Sequence, residues 1–257
     1  MKSGSIILKT PREIAIMREA NLIVAEILQQ IEEIVGPGVT TEELDKVADK
    51  LIRKAGAKAA FKGYRMRNQK PYPASVCSSV NDEVVHGIPG NRVLKDGDIV
   101  GVDVGVVHNG YVGDAARTYP IGTISTEAEK LLRVTRESLY KGIKQCIAGN
   151  RLHDVSGAVQ EHVESNGFSV VRDFVGHGIG RNMHEAPQIP NYKGTGWNPR
   201  LQVGMVLALE PMVNEGTWRV KLMDDEWTVV TADGKLSAHF EHSVAITDDG
   251  PFILSEL

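Results

Sequence analysis

The sequence predicts an α+β fold in which a single domain, residues 1–257, contains two similar halves. Residues 10–122 show two helical segments followed by several strands, and residues 123–250 repeat that order. Helices are indicated by apolar residues at helical spacing behind capping residues, and strands by short apolar runs between turn signals. Length alone allows one domain or two. The repeated order favours one domain built from duplicated halves.

A matching strand in each half supports the duplication. The run Gly97–Asp103 follows a Leu-x-x-Gly turn and ends on an acid six residues after the glycine, and Gly204–Glu210 does the same. A second acid follows on a later strand of each half, Asp114 and then Glu241. Two short strands can resemble each other by chance, but the shared helix order favours duplication. It predicts that the two sheets join and place four acids at a central seam.

The two helices of the first half have clear start and stop signals. Thr10-Pro11-Arg12-Glu13 combines a capping hydroxyl, a proline at the first helical position and a glutamate at the third. Apolar residues then follow at helical spacing as far as Ile34, and Gly36-Pro37-Gly38 ends the helix. The second helix starts at Thr40-Thr41-Glu42-Glu43 and ends at Gly56.

The second half has the same signals. Thr126-Glu127-Ala128-Glu129 opens the third helix, whose apolar positions continue to Ile147 before Gly149 closes it. The fourth helix has apolar residues from Leu152 to Val163 and ends near Gly167. Strand-rich sequence then continues to the carboxyl terminus.

Composition excludes several classes of protein. The net charge is −4, so no overall positive field attracts nucleic acid. Two isolated cysteines, Cys77 and Cys146, form neither a disulfide framework nor a zinc knuckle, which fits a reducing cytosol. The apolar run near the amino terminus is too short for a signal peptide, and no run approaches the roughly 18 residues that span a bilayer. A cytoplasmic enzyme without membrane or specific nucleic-acid contacts is expected.

Asp103 and Asp114 flank Asn109-Gly110, which is a strong signal for a β-hairpin turn. Two strands that meet there run antiparallel, so both carboxylates come to one place. A lone aspartate in such a position usually caps a turn or forms a surface ion pair. Here Asp103 lies inside the apolar run Ile99–Val104, where an acid is costly to bury without a cation.

Three further residues lie in comparable settings. Glu210 follows an apolar strand, Glu241 stands in a strand of alternating pattern, and His177 lies between two glycines that admit close backbone approach. Structural salt bridges or a core histidine are the alternatives. Two divalent ions would neutralise four carboxylates, and this ligand set suits Mn, Fe, Co or Zn. The set therefore predicts a two-metal site that activates water for hydrolysis.

Five stretches of the chain together resemble one known family from end to end: SSVNDEVVHGIPG, GDIVGVDVGVVHNGYVGDAART, VGHGIGRNMHEAPQIPNY, LALEPMV and HFEHSVAIT. The family is that of the bacterial type I methionine aminopeptidases in the short form without an amino-terminal extension. The resemblance implies the pita-bread fold, in which two pseudo-symmetric αβ halves form a single catalytic domain around a dinuclear metal site. It also implies removal of the first methionine from nascent proteins and peptides whose second residue is small.

The resemblance implies a role for each matching residue. Asp103 binds one metal ion, Asp114 and Glu241 bind both, and His177 and Glu210 complete the other. His86 and His184 contact the substrate around the scissile bond without binding metal. Glu210 is the candidate for proton relay, which gives three catalytic residues: His86, His184 and Glu210.

The resemblance also implies a pocket for the methionine side chain, although each of its residues also fits an ordinary core. The pocket is lined by Tyr64, Tyr72, Cys77, Met183 and Trp227 together with His86, while His184 binds the substrate at its scissile carbonyl. Two features depart from the family pattern: the loop 63–72 is longer, and Met183 stands where phenylalanine is frequent.

The longer loop contains Arg65, Arg67 and Lys70, which suit either a solvated rim or a transient contact with the ribosome. The resemblance suggests a monomer that meets nascent chains. Two alternatives share the scaffold. Proline-releasing aminopeptidases and prolidases have the same ligands but usually an additional amino-terminal domain, whereas this chain starts close to its first helix. A non-catalytic binding protein would be expected to have lost ligands.

Overall fold

The structure, a computed structural model, describes residues 5–65 and 69–257 of the chain. Its helices are α1 (Pro11–Ile34), α2 (Thr41–Lys54), α3 (Thr126–Ile143) and α4 (Leu152–Ser165). The strands of the first half are β1 (Lys58–Ala59), β2 (Val76–Val80), β3 (Glu83–Val85), β4 (Ile99–His108) and β5 (Tyr111–Pro120). Those of the second half are β6 (Ser169–Val170), β7 (Gly176–Gly178), β8 (Glu185–Ile189), β9 (Val206–Leu209), β10 (Met212–Asn214), β11 (Val220–Leu222), β12 (Val229–Thr231), β13 (Ser237–His239), β14 (His242–Thr247) and β15 (Gly250–Ile253).

The capping residues explain where the helices start. Thr10 and Thr40 form capping boxes with Glu13 and Glu43, as the sequence predicts. Helix α3 differs, because its cap is Ser125, whose side chain accepts a hydrogen bond from the Ala128 amide. It also ends before Ile147. The amides of residues 145 and 146 bond to carbonyls three residues back, which tightens the last turn and ends the α-helix.

Strands β4 and β5 form the predicted hairpin, with Asn109 in the left-handed region at φ 50°. The strand register shows how the two acids come together. Asp103 pairs with Ala116, and Asp114 pairs with Gly105, so the two acids do not oppose each other directly. They lie on one face as diagonal neighbours, still within reach of a shared ligand.

The second half contains a five-stranded sheet in the order β15-β14-β9-β7-β8. Two three-stranded sheets lie beside it, β13-β10-β6 and β11-β12-β3. Strand β3, from the first half, pairs with β12 from the second, so the halves exchange backbone hydrogen bonds. The element order of the two halves agrees with the repeat in the sequence, and their origin by duplication stays a prediction.

The two halves also meet directly between β5 and the segment 239–243. The Glu241 amide donates to the Ala116 carbonyl (2.9 Å), and the Ser243 hydroxyl donates to the Asp114 carbonyl (2.9 Å). Further along, the Thr118 hydroxyl donates to the His239 carbonyl (2.7 Å) and accepts from the His239 amide (2.9 Å). These bonds fix Glu241 beside Asp114 at the seam.

Helix α1 packs tightly on the back of β5, and one glycine permits this approach. A Cβ atom on Gly113 would lie 2.6 Å from the Ala20 carbonyl carbon and 2.7 Å from the Asn21 nitrogen. The buried Asn21 side chain accepts a hydrogen bond from the Asp114 amide (3.2 Å) and donates to the Met17 carbonyl (2.9 Å). Helix α1 thereby positions the backbone of Asp114.

Among the described residues, no helix combines the length and apolarity that crossing a membrane requires.

Replacing Gly113 with alanine should destabilise the protein by about 1–3 kcal/mol, the usual range for overpacking, because the added methyl group pushes α1 away from β5. The matched control is Gly157→Ala inside α4, where the nearest atom to an added Cβ is 3.9 Å away. That change should raise stability by about 0.5–1 kcal/mol through helix propensity. Urea unfolding of both variants measures the difference, and equal effects of the two changes would contradict this account of the packing.

Candidate metal centre and substrate pocket

One cavity of about 340 Å³ brings together every site residue that the sequence predicts. Five of them are the predicted metal ligands, Asp103, Asp114, His177, Glu210 and Glu241. The remainder are His86, His184, Tyr64, Tyr72, Cys77, Met183 and Trp227. The residues come from both halves of the chain, so only the joined halves form the cavity.

A larger groove of about 690 Å³ lies on the other side of β5, between α1 and α3. Its lining contains several arginines and lysines, and Arg117 pairs with Glu32 at 2.9 Å. Of the predicted site residues, only Glu241 borders it. We therefore assign the chemistry to the smaller cavity, where the carboxylates and histidines converge.

The carboxylates at the bottom of the cavity have oxygen atoms without partners. Asp103 Oδ1, Asp114 Oδ1 and Glu241 Oε1 are buried and accept no hydrogen bond. Ligand atoms of Asp114, His177 and Glu241 lie within 4.8 Å of one another. Buried carboxylate oxygens without donors are costly unless a cation neutralises them. This donor set, carboxylate oxygens with one imidazole, fits divalent metal ions.

His177 is oriented for coordination by its other ring nitrogen. Its Nδ1 lies 3.0 Å from the Gly178 carbonyl, which can only accept, so the proton is on Nδ1 and the Nε2 lone pair is free. Nε2 lies 3.4 Å from Glu210 Oε1 and 3.8 Å from Asp114 Oδ2. The flanking glycines are needed for packing. A Cβ on Gly176 would lie 2.5 Å from the Ala208 carbonyl oxygen, and one on Gly178 would overlap the Ala186 carbonyl.

Burial dominates the electrostatics of the acids. It raises the pKa of Asp103 to about 7, and it raises the pKa values of Asp114, Glu210 and Glu241 well above the usual carboxyl range. Repulsion from neighbouring acids raises the pKa values of Asp114, Glu210 and Glu241 further. Among the described residues, no lysine or arginine lines the cavity. Protons or bound cations must therefore supply the compensating charge.

His86 and His184 lie above the acids. His86 has φ 59°, a left-handed conformation that is strained for a non-glycine residue and often marks a functional position. Its ring makes edge contacts with Phe174 and Trp227, with ring centres 5.6 and 6.3 Å apart. Burial, and after it the charge of His184, lower the pKa of His86 to about 4. The ring of His184 lies 4.5 Å from that of His177, and Tyr64 contacts its Nδ1.

The side wall of the cavity is apolar and contains sulfur atoms. Tyr72 and Trp227 meet edge to face at 5.2 Å, and Cys77 packs with them. The Tyr72 hydroxyl lies 3.1 Å from the Val76 carbonyl and 2.8 Å from the Gly87 carbonyl, so it is satisfied away from the cavity. Aromatic rings, a thiol and the thioether of Met183 form a surface that suits a thioether side chain.

Six residues at the site have no prediction from the sequence. Five of them line the cavity: Phe61, Asp173, Phe174, Val175 and Gln188. His239 is buried, and its Nε2 has no hydrogen-bond partner and lies 4.0 Å from Glu210 Oε2. His239 precedes Glu241 by two residues, so strand alternation could have identified it. Phe61 and Phe174 offered no signal apart from their proximity to motifs.

The chain matches the model of metallopeptidase family M24 over residues 15–248. It is 57% identical to the methionine aminopeptidase of Clostridium perfringens, over 97% of this chain and 98% of that protein. It shares 48% identity and a TM-score of 0.94 with the crystal structure of methionine aminopeptidase from Thermotoga maritima, over 98% of this chain and 100% of the other. The chain therefore belongs to metallopeptidase family M24 and, within it, to the methionine aminopeptidases.

The predicted pita-bread fold is confirmed by these structural neighbours. The prolidase of Pyrococcus furiosus shares that fold with a TM-score of 0.77 and 22% identity, over 98% of this chain and 66% of that one. At such identity the likeness extends to the fold alone. The predicted roles of individual site residues stay predictions, although the structure places all of them around one cavity.

Metal-free protein should lose stability as the pH rises from about 6.5 to about 8. Because burial raises the pKa values of the four acids, the folded chain holds more protons than the unfolded chain over this interval. The free energy of unfolding therefore falls with rising pH. Burial also lowers the pKa values of five histidines, His86, His177, His184, His239 and His242. Their contribution has the opposite sign and levels off as the pH rises beyond the unfolded histidine pKa of about 6.5.

Calorimetry in EDTA measures this decline in Tm. Saturating Mn²⁺ should remove it and raise Tm most at the highest pH, because ions then replace the lost protons. A Tm in EDTA that stayed level or rose over the interval would contradict the assignment of the four acids as uncompensated buried carboxyls.

Proposed function

We propose that the chain is a metal-dependent aminopeptidase that removes the amino-terminal methionine from nascent proteins and peptides whose second residue is small. One observation supports this most strongly. A cluster of four carboxylates, two of them buried and two partly buried, and one imidazole forms one end of a cavity whose side wall is aromatic and rich in sulfur. The family and its most similar members agree with that chemistry.

Two divalent ions fit the ligand cluster. Asp103 would hold one ion and Asp114 and Glu241 both, while His177 and Glu210 would complete the other. When bound, such ions lower the pKa of water and polarise a carbonyl group, which permits hydrolysis near neutral pH. The ligand types admit Co, Mn, Fe or Zn, and cellular supply selects among them.

The side chains of the protein then handle protons and orientation. Glu210 takes a proton from the attacking water and passes it to the leaving amine as the C–N bond breaks. His184 donates a hydrogen bond to the oxygen of the scissile carbonyl, where negative charge develops. His86 contacts the peptide nitrogen that follows the scissile residue. Burial lowers the pKa values of His86 and His184, so both act as neutral imidazoles near pH 7.

The substrate side chain occupies the apolar wall. Tyr64, Tyr72, Cys77, Met183 and Trp227 surround it, together with the edges of His86 and His184. Trp227 is held by a hydrogen bond from its Nε1 to the Lys70 carbonyl (3.0 Å), so the longer loop helps to fix the pocket. A thioether gains more from these soft and aromatic contacts than a polar side chain would.

The proposal also covers the cellular location of the enzyme, its oligomeric state and its contact with the ribosome. It acts as a cytoplasmic monomer and meets its substrates as they leave the ribosome. Arg65 and Lys70 are the described cations of the loop that would face ribosomal RNA, and Lys70 lies 3.8 Å from Glu226. Arg67 lies outside the described residues. Co-sedimentation with ribosomes at increasing salt tests this contact.

Glu210→Gln should lower kcat by about 10²–10⁴-fold, the usual contribution of a general acid–base group, and should also weaken metal binding. Steady-state kinetics and metal titration measure the two effects. Glu137→Gln, on the solvent face of α3, is the control and should behave as wild type. Near-normal turnover by Glu210→Gln would refute the proton-relay role.

His184→Ala should reduce kcat by about 10²–10³-fold while the protein still binds its metals, because the residue contacts substrate and no ion. Elemental analysis after dialysis reports the metal content independently of activity. If the variant retained less metal than wild type at the same free ion concentration, His184 would be a metal ligand, and its assignment as a substrate-binding residue would be wrong.

Peptide specificity decides between the enzymes of this fold. Release of methionine from Met-Ala-Ser in the presence of Mn²⁺, Fe²⁺ or Co²⁺ should far exceed cleavage of X-Pro peptides. Preference for X-Pro peptides would indicate a prolidase-like enzyme. Binding of methionyl peptides without turnover under any of these ions would indicate a binding protein on the same scaffold.

A further inference from the structure

The loop that departs from the family pattern has a well-defined base. The Gly63 amide donates to the Tyr72 carbonyl (2.8 Å), and the Tyr72 amide donates to the Tyr64 carbonyl (2.9 Å). The Tyr64 amide donates in turn to the Phe61 carbonyl (2.8 Å). The Tyr72 hydroxyl lies within hydrogen-bond distance of the Val76 and Gly87 carbonyls, which fixes the side chain of this residue. The closed base of the loop therefore sets the position of Tyr64.

From this base, the Tyr64 side chain reaches a residue 120 positions away in the other half. Its hydroxyl lies 2.9 Å from His184 Nδ1, and the two ring centres are 5.7 Å apart. Among the described residues, the Tyr64 hydroxyl has no other hydrogen-bond partner. Within the described part of the chain, the one available acceptor for its proton is therefore His184 Nδ1, in the tautomer in which that nitrogen has a lone pair.

A neutral histidine has one protonated nitrogen, and the partner of the other nitrogen selects which. If Tyr64 donates to Nδ1, the proton of His184 is on Nε2. That nitrogen can then donate a hydrogen bond to the oxygen of the scissile carbonyl. In the opposite tautomer, Nε2 presents a lone pair and would repel the negative charge that develops on that oxygen.

We propose that Tyr64 is a positioning residue that holds His184 in the Nε2–H tautomer. This role rests on the proposed function of His184 and differs from lining the methionine pocket. Tyr64 acts through His184 alone, so its hydroxyl matters for turnover rather than for the affinity of the methionine side chain. The longer loop would then supply part of the support for a catalytic residue.

Tyr64→Phe tests the proposal, since it removes the hydroxyl and keeps the ring. In metal-free protein labelled with ¹⁵N-histidine, the wild-type His184 should show the Nε2–H pattern, and the variant a mixture of both tautomers. His184→Ala assigns the signals. A wild-type spectrum of the opposite tautomer, or one that Tyr64→Phe leaves unchanged, overturns the proposal. This readout is independent of whether methionyl peptides are substrates.

Kinetics of the metal-loaded enzyme give the second readout. Tyr64→Phe should lower kcat by about tenfold, the size of one hydrogen bond, with KM for Met-Ala-Ser changed less than twofold. In a His184→Ala background, the same change should have no further effect on kcat. If Tyr64→Phe still lowers kcat in that background, or if it changes only KM, Tyr64 acts as part of the pocket wall. Either result overturns the positioning role.

The matched control is Tyr192→Phe. Tyr192 packs on Arg172, lies outside the lining of the cavity, and loses the same hydroxyl on substitution. It should leave kcat, KM and the histidine spectrum unchanged. If methionyl peptides are not cleaved at all by wild type, the proposed function fails, while the tautomer experiment still decides the contact between Tyr64 and His184.

Discussion

The convergence of four buried or partly buried carboxylates in one cavity is the constraint on which the rest of the structure depends. Charges of one sign repel, and burial adds a desolvation cost for each. The described part of the protein places no lysine or arginine in the cavity lining to offset them. Such a cluster is stable only where the surrounding backbone is fixed and where cations neutralise its negative charge. The protein therefore accepts a local cost in stability for a preformed metal site.

Packing and hydrogen bonds from both halves fix the backbone around these acids. The close packing of α1 on Gly113 places Asn21 against the Asp114 backbone, while Ser243 and Glu241 bond to β5 from the other side. The backbone of β5 around Asp114 is thus held by two parts of the chain that are far apart in sequence. Glu210 is supported similarly, because the buried Asn191 side chain donates to its carbonyl. Rigid backbone on every side lets the carboxylates stay close without moving apart.

The substrate wall shows the same dependence on both halves. Trp227 stands on a hairpin of the second half and bonds to Lys70 of the first. Glu226, beside it, has φ 71° and accepts from the Lys70 amide (3.1 Å), so the hairpin tip and the longer loop hold each other. The Tyr64 hydroxyl, from the same loop, contacts Nδ1 of His184 in the second half. The described part of the loop 63–72 is thereby integrated into the site.

The sequence by itself determined the local structure and the chemical identity of the site. Capping boxes at Thr10 and Thr40 located two helices, and Asn109-Gly110 located the hairpin, because these signals act within a few residues. Acids inside apolar strands pointed to a metal for the same local reason. Only the tertiary structure decided that Asp103 pairs with Ala116, that His239 lies beside Glu210, and that Tyr64 reaches His184. These contacts depend on strand register and on how helices and sheets pack. Sequence periodicity defines only which face of an element is buried, not which residues pack against that face.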